Sequence, residues 1–186
     1  MFDSYSSSGA RHITVLPSRS RFEVAVSRIL DHHAAGDHGS ALLHITVQSE
    51  SGTGSISPRL LNLVGNALRA GMHDGEVVYL GDAEFAVFLR DTDDHQAALY
   101  ARTMAGVIGT LKAQWQDEVI SIDACIGGAL SEHCCDGGAL LHLAESASRT
   151  ARCKHGCKVH LLHGDSLIEA QQDDVDSDSI AALAFA

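Results

Sequence analysis

The stretch Val77–Arg90, VVYLGDAEFAVFLR, decides how this chain folds. Two apolar runs, Val77–Leu80 and Ala83–Leu89, flank the pair Gly81-Asp82. Glycine reaches positive φ without steric penalty, so the spacing predicts a tight β-hairpin closed by that pair. The hairpin poses a question as well, because an alanine, Ala83, stands where a turn of this shape could carry a catalytic carboxylate.

Working outward, Pro58 suits the first turn of a helix, and Leu60, Leu61, Val64, Ala67 and Leu68 line one of its faces. Further back, ALLHITVQ (Ala41–Gln48) is a β-branched and leucine run between Gly39-Ser40 and SESGTGS, and reads as a buried strand. Ser20 and Glu23 have capping-box spacing, with Phe22, Val26, Ile29 and Leu30 at helical intervals, which predicts a first helix from about Ser20 to Ala35. Downstream of the hairpin, Thr92 is the expected cap of a helix with Asp93 and Asp94 in its first turn, where the dipole favours acids. Its apolar stripe is Ala97, Ala101, Met104, Ile108 and Leu111.

A strand is expected over Val119–Leu130, with Ile120, Ile122, Ala124 and Ile126 alternating onto one face. A helix follows from about Gly138 to Cys153, turning Leu140, Leu143, Ala144, Ala147 and Ala151 inward, and a last strand covers Lys158–Leu162. This order of helices and strands predicts one α/β (α+β) sheet with helices covering its faces.

The 186 residues fit one domain of ordinary globular composition, with 45% hydrophobic residues and 17 glycines. No apolar run approaches the ~18–20 residues of a membrane span, and MFDSYSSSGARH lacks the charged-then-apolar order of a signal peptide, so a cytoplasmic protein is expected. Thirteen basic against 24 acidic residues give a charge of −11, which repels a nucleic-acid backbone. Five cysteines, an odd number, point to free thiols. Asp165, Glu169, Asp173, Asp174, Asp176 and Asp178 make an acidic tail that ends in IAALAFA. The chain therefore divides into a lead-in (1–15), a folded domain (16–163) and a tail (164–186).

At the hairpin the residues resemble a known family. YLGDAEFAVFL (Tyr79–Leu89) is similar to the signature hairpin of GGDEF domains, the diguanylate cyclases, in which an Arg-Leu pair precedes GGDEF and a hydrophobic strand. LPSRSRF (Leu16–Phe22) resembles the family's opening LPNRRxF, ACIGGAL (Ala124–Leu130) its SIGxA strand, and AESASRTARCKHGCKV (Ala144–Val159) its closing ADxALYxAKxxGRNxV. The resemblance covers Leu16 to Leu162 and implies a nucleotide-cyclase-like fold, a central mixed five-stranded sheet flanked by helices.

It also implies a chemistry: two GTP molecules joined into cyclic di-GMP, with metal ions held by carboxylates to neutralise phosphate and activate the attacking hydroxyl. Laid on the signature, Gly81 is the first glycine, Asp82 the second, Ala83 the acid, Glu84 the glutamate and Phe85 the phenylalanine. The acid is absent at Ala83, and Asp82 puts a charged side chain where the family's glycine lets backbone approach phosphate. In the family's DxDxFKxxND segment the aspartates correspond to Thr46 and Gln48, so Thr46 and Ala83 are the lost metal positions and SESGTGSISP replaces the recognition stretch. The product-inhibition motif RxxD falls on MHDG, Met72–Gly75, without its arginine or aspartate. Asp82 and Glu84 are poor substitutes for the acid, because neighbouring strand positions point to opposite faces and metal–oxygen bonds tolerate no such displacement.

Other chemistry-bearing groups are weaker. Cys153, His155 and Cys157 form one cluster and His133, Cys134 and Cys135 another, but neither has paired CxxC spacing, and a helix of about 22 Å separates them. Exposed side chains are the plainer reading, with redox or adventitious metal binding as the alternative. Gly127-Gly128 reads as close backbone packing rather than a phosphate cradle, since no GxxxxGK pattern occurs. Asp31, His32 and His33 read as solvated groups at a helix C-terminus, and no GxSxG elbow supports a serine triad.

The expected function is that of a catalytically inactive, degenerate GGDEF domain acting as a regulatory protein-interaction module in cyclic di-GMP signalling, with no cofactor or metal. Its expected partner is a cyclase, phosphodiesterase or effector domain of that pathway, or a second copy in a homodimer, with no nucleic acid and no membrane. The alternatives are a nucleotide sensor without turnover, binding GTP through backbone N–H groups around Gly81 and Asp82 and the loop near Gly52 and Gly54, and a residual diguanylate cyclase.

Overall fold

The computed structural model describes residues 19–33, 39–49, 56–72, 74–115, 118–133, 136–153 and 158–162. Its elements run α1 (Arg19–His33), β1 (Ala41–Ser49), α2 (Pro58–Ala70), β2 (Gly75–Gly81), β3 (Glu84–Leu89), α3 (Asp94–Thr110), β4 (Lys112–Trp115), β5 (Glu118–Leu130), a 3-10 turn (Ser131–His133), α4 (Gly137–Cys153) and β6 (Val159–Leu162). The expected lead-in, the tail and the end of the first expected helix at residues 34–35 lie outside the described residues.

The five expected strands form one mixed sheet. β1 sits at its centre, antiparallel to β3 on one side and to β5 on the other, with β2 beyond β3. β6 pairs in parallel with the second half of β5, from Ile126 to Ala129. A sixth strand, β4, runs antiparallel to the start of β5, which at 13 residues is long enough to hold two partners in succession on one edge. KAQW carries too little apolar alternation over four residues to be visible as a strand beforehand.

The hairpin is present with its turn one residue later than expected. Gly81 closes β2 opposite Glu84, and the two turn residues are Asp82 and Ala83, with φ of 46° and 63°. Positive φ at both central positions is the type I′ geometry that matches strand twist. An alanine there costs about 1 kcal/mol of backbone strain. Two contacts hold it: Ala83 N donates to the Tyr79 hydroxyl at 3.4 Å, and Val47 N donates to Ala83 O at 3.0 Å.

Two caps also differ from expectation. α3 begins one residue later than Thr92 implies: Asp93 is the N-cap, accepting from Gln96 N at 2.7 Å while Gln96 Oε1 accepts from Asp93 N at 3.1 Å. Thr92 instead donates its hydroxyl to Arg90 O at 2.7 Å. At the start of α1, Ser20 lies inside the helix rather than capping it, and Glu23 accepts from Arg19 at 2.9 Å one turn back. α2 begins as expected, with Pro58 in its first turn and the Ser57 hydroxyl accepting from Leu60 N.

Helices cover both sheet faces. Leu60, Val64 and Leu68 of α2 and Ala97, Ala101, Met104 and Ile108 of α3 pack on Leu43, Ile45, Phe85, Val87, Ile122 and Ile126. On the other face Phe22, Val26 and Leu30 of α1 and Leu140, Leu141 and Ala144 of α4 pack on Leu42, Val78, Ala86 and Phe88. Burying each large side chain of this set stabilises the fold by about 1.5–3 kcal/mol.

α4 lies directly against the sheet at Gly127. A methyl group there would overlap the backbone of α4 at Ser148 N and Ala144 O, so the strand and the helix approach to a separation that only glycine permits. The same helix is tied to α1 by Ser27, whose hydroxyl accepts from Gly137 N at 2.8 Å and bonds to Asp136 at 3.1 Å, while Asp136 accepts from Ala139 N.

Gly127→Ala is therefore expected to destabilise the protein by about 3 kcal/mol, read as a lower urea midpoint at unchanged slope. Gly106→Ala, on the exposed side of α3 with open space around the added methyl, is expected to raise stability by about 0.5–1 kcal/mol.

Candidate functional site

The signature hairpin projects beside the end of β1, and strand alternation sorts the nearby side chains into two groups. Ile45 and Val47 of β1, Tyr79 of β2, Ala83 of the turn and Phe85 of β3 belong to the α2–α3 face. His44 and Thr46 of β1 point to the α1–α4 face, as does Glu84: its carboxylate lies 3.4 Å from His44, and the Thr46 hydroxyl lies 3.3 Å from that of Ser148 in α4.

This sorting places the side chains of Thr46 and Ala83, the two positions expected to have lost metal ligands, apart from each other. The two are neighbours along the backbone, since Thr46 lies opposite Glu84 and Val47 N reaches Ala83 O. Their side chains nonetheless occupy opposite faces. The β1 side chains on the side of Ala83 are Ile45 and Val47, both buried, so an acid is absent there too. Letter-by-letter matching of a strand cannot detect a one-residue offset, and only the register reveals which face a position takes.

Tyr79 occupies the same face. Its ring centroid is 5.1 Å from that of Phe85, and its hydroxyl accepts from Ala83 N. Asp82 is exposed at the tip, and Glu84 is directed away toward His44. The α2–α3 side of the hairpin thus presents the apolar and phenolic groups of Ile45, Val47, Tyr79, Ala83 and Phe85.

On the opposite face the chemistry is polar. His44 is 3% exposed, and its Nε2 approaches Glu84 Oε2 at 3.4 Å without the alignment of a good hydrogen bond. Burial holds its imidazole below the usual histidine range, and the carboxylates of Glu84 and Glu145 pull partly the other way. Arg19 holds Glu145 at 2.7 Å and Glu23 at 2.9 Å. Ser148 also donates to Cys125 O at 3.4 Å, while Gln48 Nε2 lies 3.9 Å from the Cys125 sulfur. No sequence signal joins His44 to Glu84, because the contact follows from the β1–β3 register.

At the far end of β2 and β3, MHDG is split. Met72 packs against the core, His73 lies outside the described residues, Asp74 is exposed and Gly75 opens β2. A cleft of about 560 Å³ lies here, lined by Asp74, Arg90, Asp91, Gln96 and Tyr100. Arg90 reaches it from the end of β3 and lies 3.4 Å from Glu76 and 3.9 Å from Asp74. A search for RxxD could not find this arginine, which comes from a different strand. Burial raises the Tyr100 hydroxyl above its usual range, and it donates to Leu68 O at 2.8 Å.

The two cysteine and histidine clusters flank opposite ends of α4: His133 precedes it, and Cys153 ends it, exposed. Cys134, Cys135, His155 and Cys157 lie outside the described residues. Among the described residues, no three His, Cys, Asp or Glu side chains are arranged to hold a metal ion. Asp31 is exposed in the last turn of α1, and His32 and His33 complete that helix. Among the described residues no helix is long and apolar enough to cross a membrane.

No family model and no curated protein matches the chain. Solved structures do. The GGDEF domain of YfiN (TpbB) from Pseudomonas aeruginosa is 25% identical with a TM-score of 0.69, over 84% of this chain and 95% of that one. The active GGEEF domain of a diguanylate cyclase from Vibrio cholerae is 14% identical with a TM-score of 0.66, over 80% and 98%. Diguanylate cyclase SiaD from Pseudomonas aeruginosa, solved with its activator SiaC, is 17% identical with a TM-score of 0.67, over 79% and 58%. With its central β1, its β2–β3 signature hairpin and its helices on both faces, this chain has the fold of a GGDEF domain.

Proposed function

We propose that this is a degenerate GGDEF domain, one that does not synthesise cyclic di-GMP and acts as a regulatory protein-interaction module in cyclic di-GMP signalling. The single observation that carries the reading is the apolar face around Ala83. Ile45 and Val47 are buried there, the Tyr79 hydroxyl sits against the turn, and Glu84 belongs to the opposite face. Phosphoryl chemistry of the family type needs divalent cations bridging phosphate oxygens, held by carboxylates within about 2.0–2.2 Å. Asp82, at the exposed tip, adds negative charge beside the position a phosphate would take.

A fold kept without that chemistry still offers surfaces. SiaD, of the same fold, was solved bound to an activator protein, which supports protein partners as the mode of action here. On this reading the domain works in the cytoplasm, and its partner is a cyclase, a phosphodiesterase, an effector domain or a second copy of itself.

Incubation with GTP and manganese, followed by chromatography, is expected to yield neither cyclic di-GMP nor pyrophosphate. Enzyme-like turnover would end the reading. Ala83→Asp alone is expected to leave the product absent, because Ile45 and Val47 still face the new acid. Calorimetric titration with GTP and magnesium is expected to show no binding tighter than about 1 mM, or about −4 kcal/mol. Tighter binding would favour a nucleotide sensor instead.

A further inference from the structure

His44 projects from the central strand beneath α1 and α4, and neither ring nitrogen has a hydrogen-bond partner among the described residues. A neutral imidazole in that position is desolvated with little returned. Charged groups face it from three elements. β3 contributes Glu84 at 3.4 Å, α4 contributes Glu145, and α1 contributes Arg19, which holds Glu145 at 2.7 Å and Glu23 at 2.9 Å. Its cross-strand neighbours, Ala86 on β3 and Gly127 on β5, do not titrate. With Glu145 already engaged by Arg19, Glu84 is the carboxylate placed to answer a proton on His44, and its side chain is 37% exposed.

We propose that His44 is a proton-operated clasp that fastens the side chain of Glu84, next to the turn of the signature hairpin, to the central strand β1 beneath α1 and α4. Unprotonated, it leaves the Glu84 carboxylate at the surface. Protonated, it converts the 3.4 Å approach into a charge-assisted pair. Glu84 directly follows the left-handed residues Asp82 and Ala83, so drawing its side chain inward fixes the tip of the hairpin. The clasp would make the exposed shape of the hairpin depend on pH, whether or not the domain turns over nucleotide.

The sign follows from burial. The folded protein takes up this proton below the ordinary histidine range, so the unfolded chain, near 6.5, protonates first. Global stability therefore falls as pH drops below about 6.5, while the hairpin itself tightens once His44 is charged.

Imidazole NMR titration combined with amide hydrogen exchange on the full chain tests the clasp. His44 is expected to titrate below about 6.5, and Glu84→Gln is expected to lower its midpoint by about half a unit, or about threefold in proton affinity. After correction for intrinsic exchange, the hairpin amides at residues 82–85 are expected to be about threefold better protected below the midpoint in the parent, and unchanged in Glu84→Gln. A midpoint that Glu84→Gln does not move, or hairpin protection that does not change across it, would overturn the proposal. Because position 84 is partly exposed, the test stands even if His44→Gln does not fold.

Discussion

The register of β1 against β3 is the constraint on which the rest of the molecule depends. Ile45 lies opposite Phe85 and Thr46 opposite Glu84, and successive side chains go to opposite faces. A slip of one residue would carry His44 and Thr46 into the apolar α2–α3 core and bring Ile45 and Val47 under α1 and α4. β1 is held against such a slip on both edges, by β3 and along its whole length by β5, and the bond from Val47 N to Ala83 O extends the hold to the turn. The same register decides which chemical groups meet: acid with imidazole on one side, aliphatic with phenol on the other.

Much of this architecture was legible in the sequence. Continuous apolar runs exposed β1 and β3, which are covered on both faces, alternation exposed β5, and 3.6-residue spacing exposed α2, α3 and α4, each of which buries one face against the sheet. The misses are local and physical. The turn moved by one residue because the pairing of Gly81 with Glu84 leaves Asp82 and Ala83 as the left-handed pair, and an alanine gives no advance notice of positive φ. Thr92 and Asp93 are both capable caps, and the reciprocal bond with Gln96 decided between them. At the site, the identities Ala83 and Glu84 could be read directly, whereas the contact of Glu84 with His44 depends on pairing across 40 or so residues, and the filling of the turn by Tyr79 depends on where the turn falls within the hairpin.

The two faces differ in kind as well as composition. Beneath α2 and α3 the core is aliphatic and aromatic throughout. Beneath α4 runs a seam of polar groups, with Thr46 and Ser148 sharing a hydrogen bond and Ser148 reaching Cys125 O. Each such group would cost about 1–3 kcal/mol if left unpaired, so the seam fixes how α4 sits along β1 and β5 more strictly than apolar contact would. Gly127 makes the seam possible, since without the close approach of α4 the Ser148 hydroxyl could not reach the strands. His44, in the same layer but outside this network, is its one buried side chain among the described residues with both ring nitrogens unbonded.

The apolar face around Ala83 has its own energetic logic. Carboxylates at two adjacent strand positions repel each other and resist burial unless cations are bound, so a metal site is a standing cost to the empty fold. With Ile45 and Val47 in β1 and Ala83 in the turn, this face carries no such cost, and the α2–α3 core runs from Leu43 to the tilted ring pair of Tyr79 and Phe85. Stability gained in this way commonly comes at the expense of activity. On the function proposed above, a domain that holds no cations keeps this face closed, and what a partner would read lies outside it: the exposed tip at Asp82, the half-exposed Glu84 and the helices behind them.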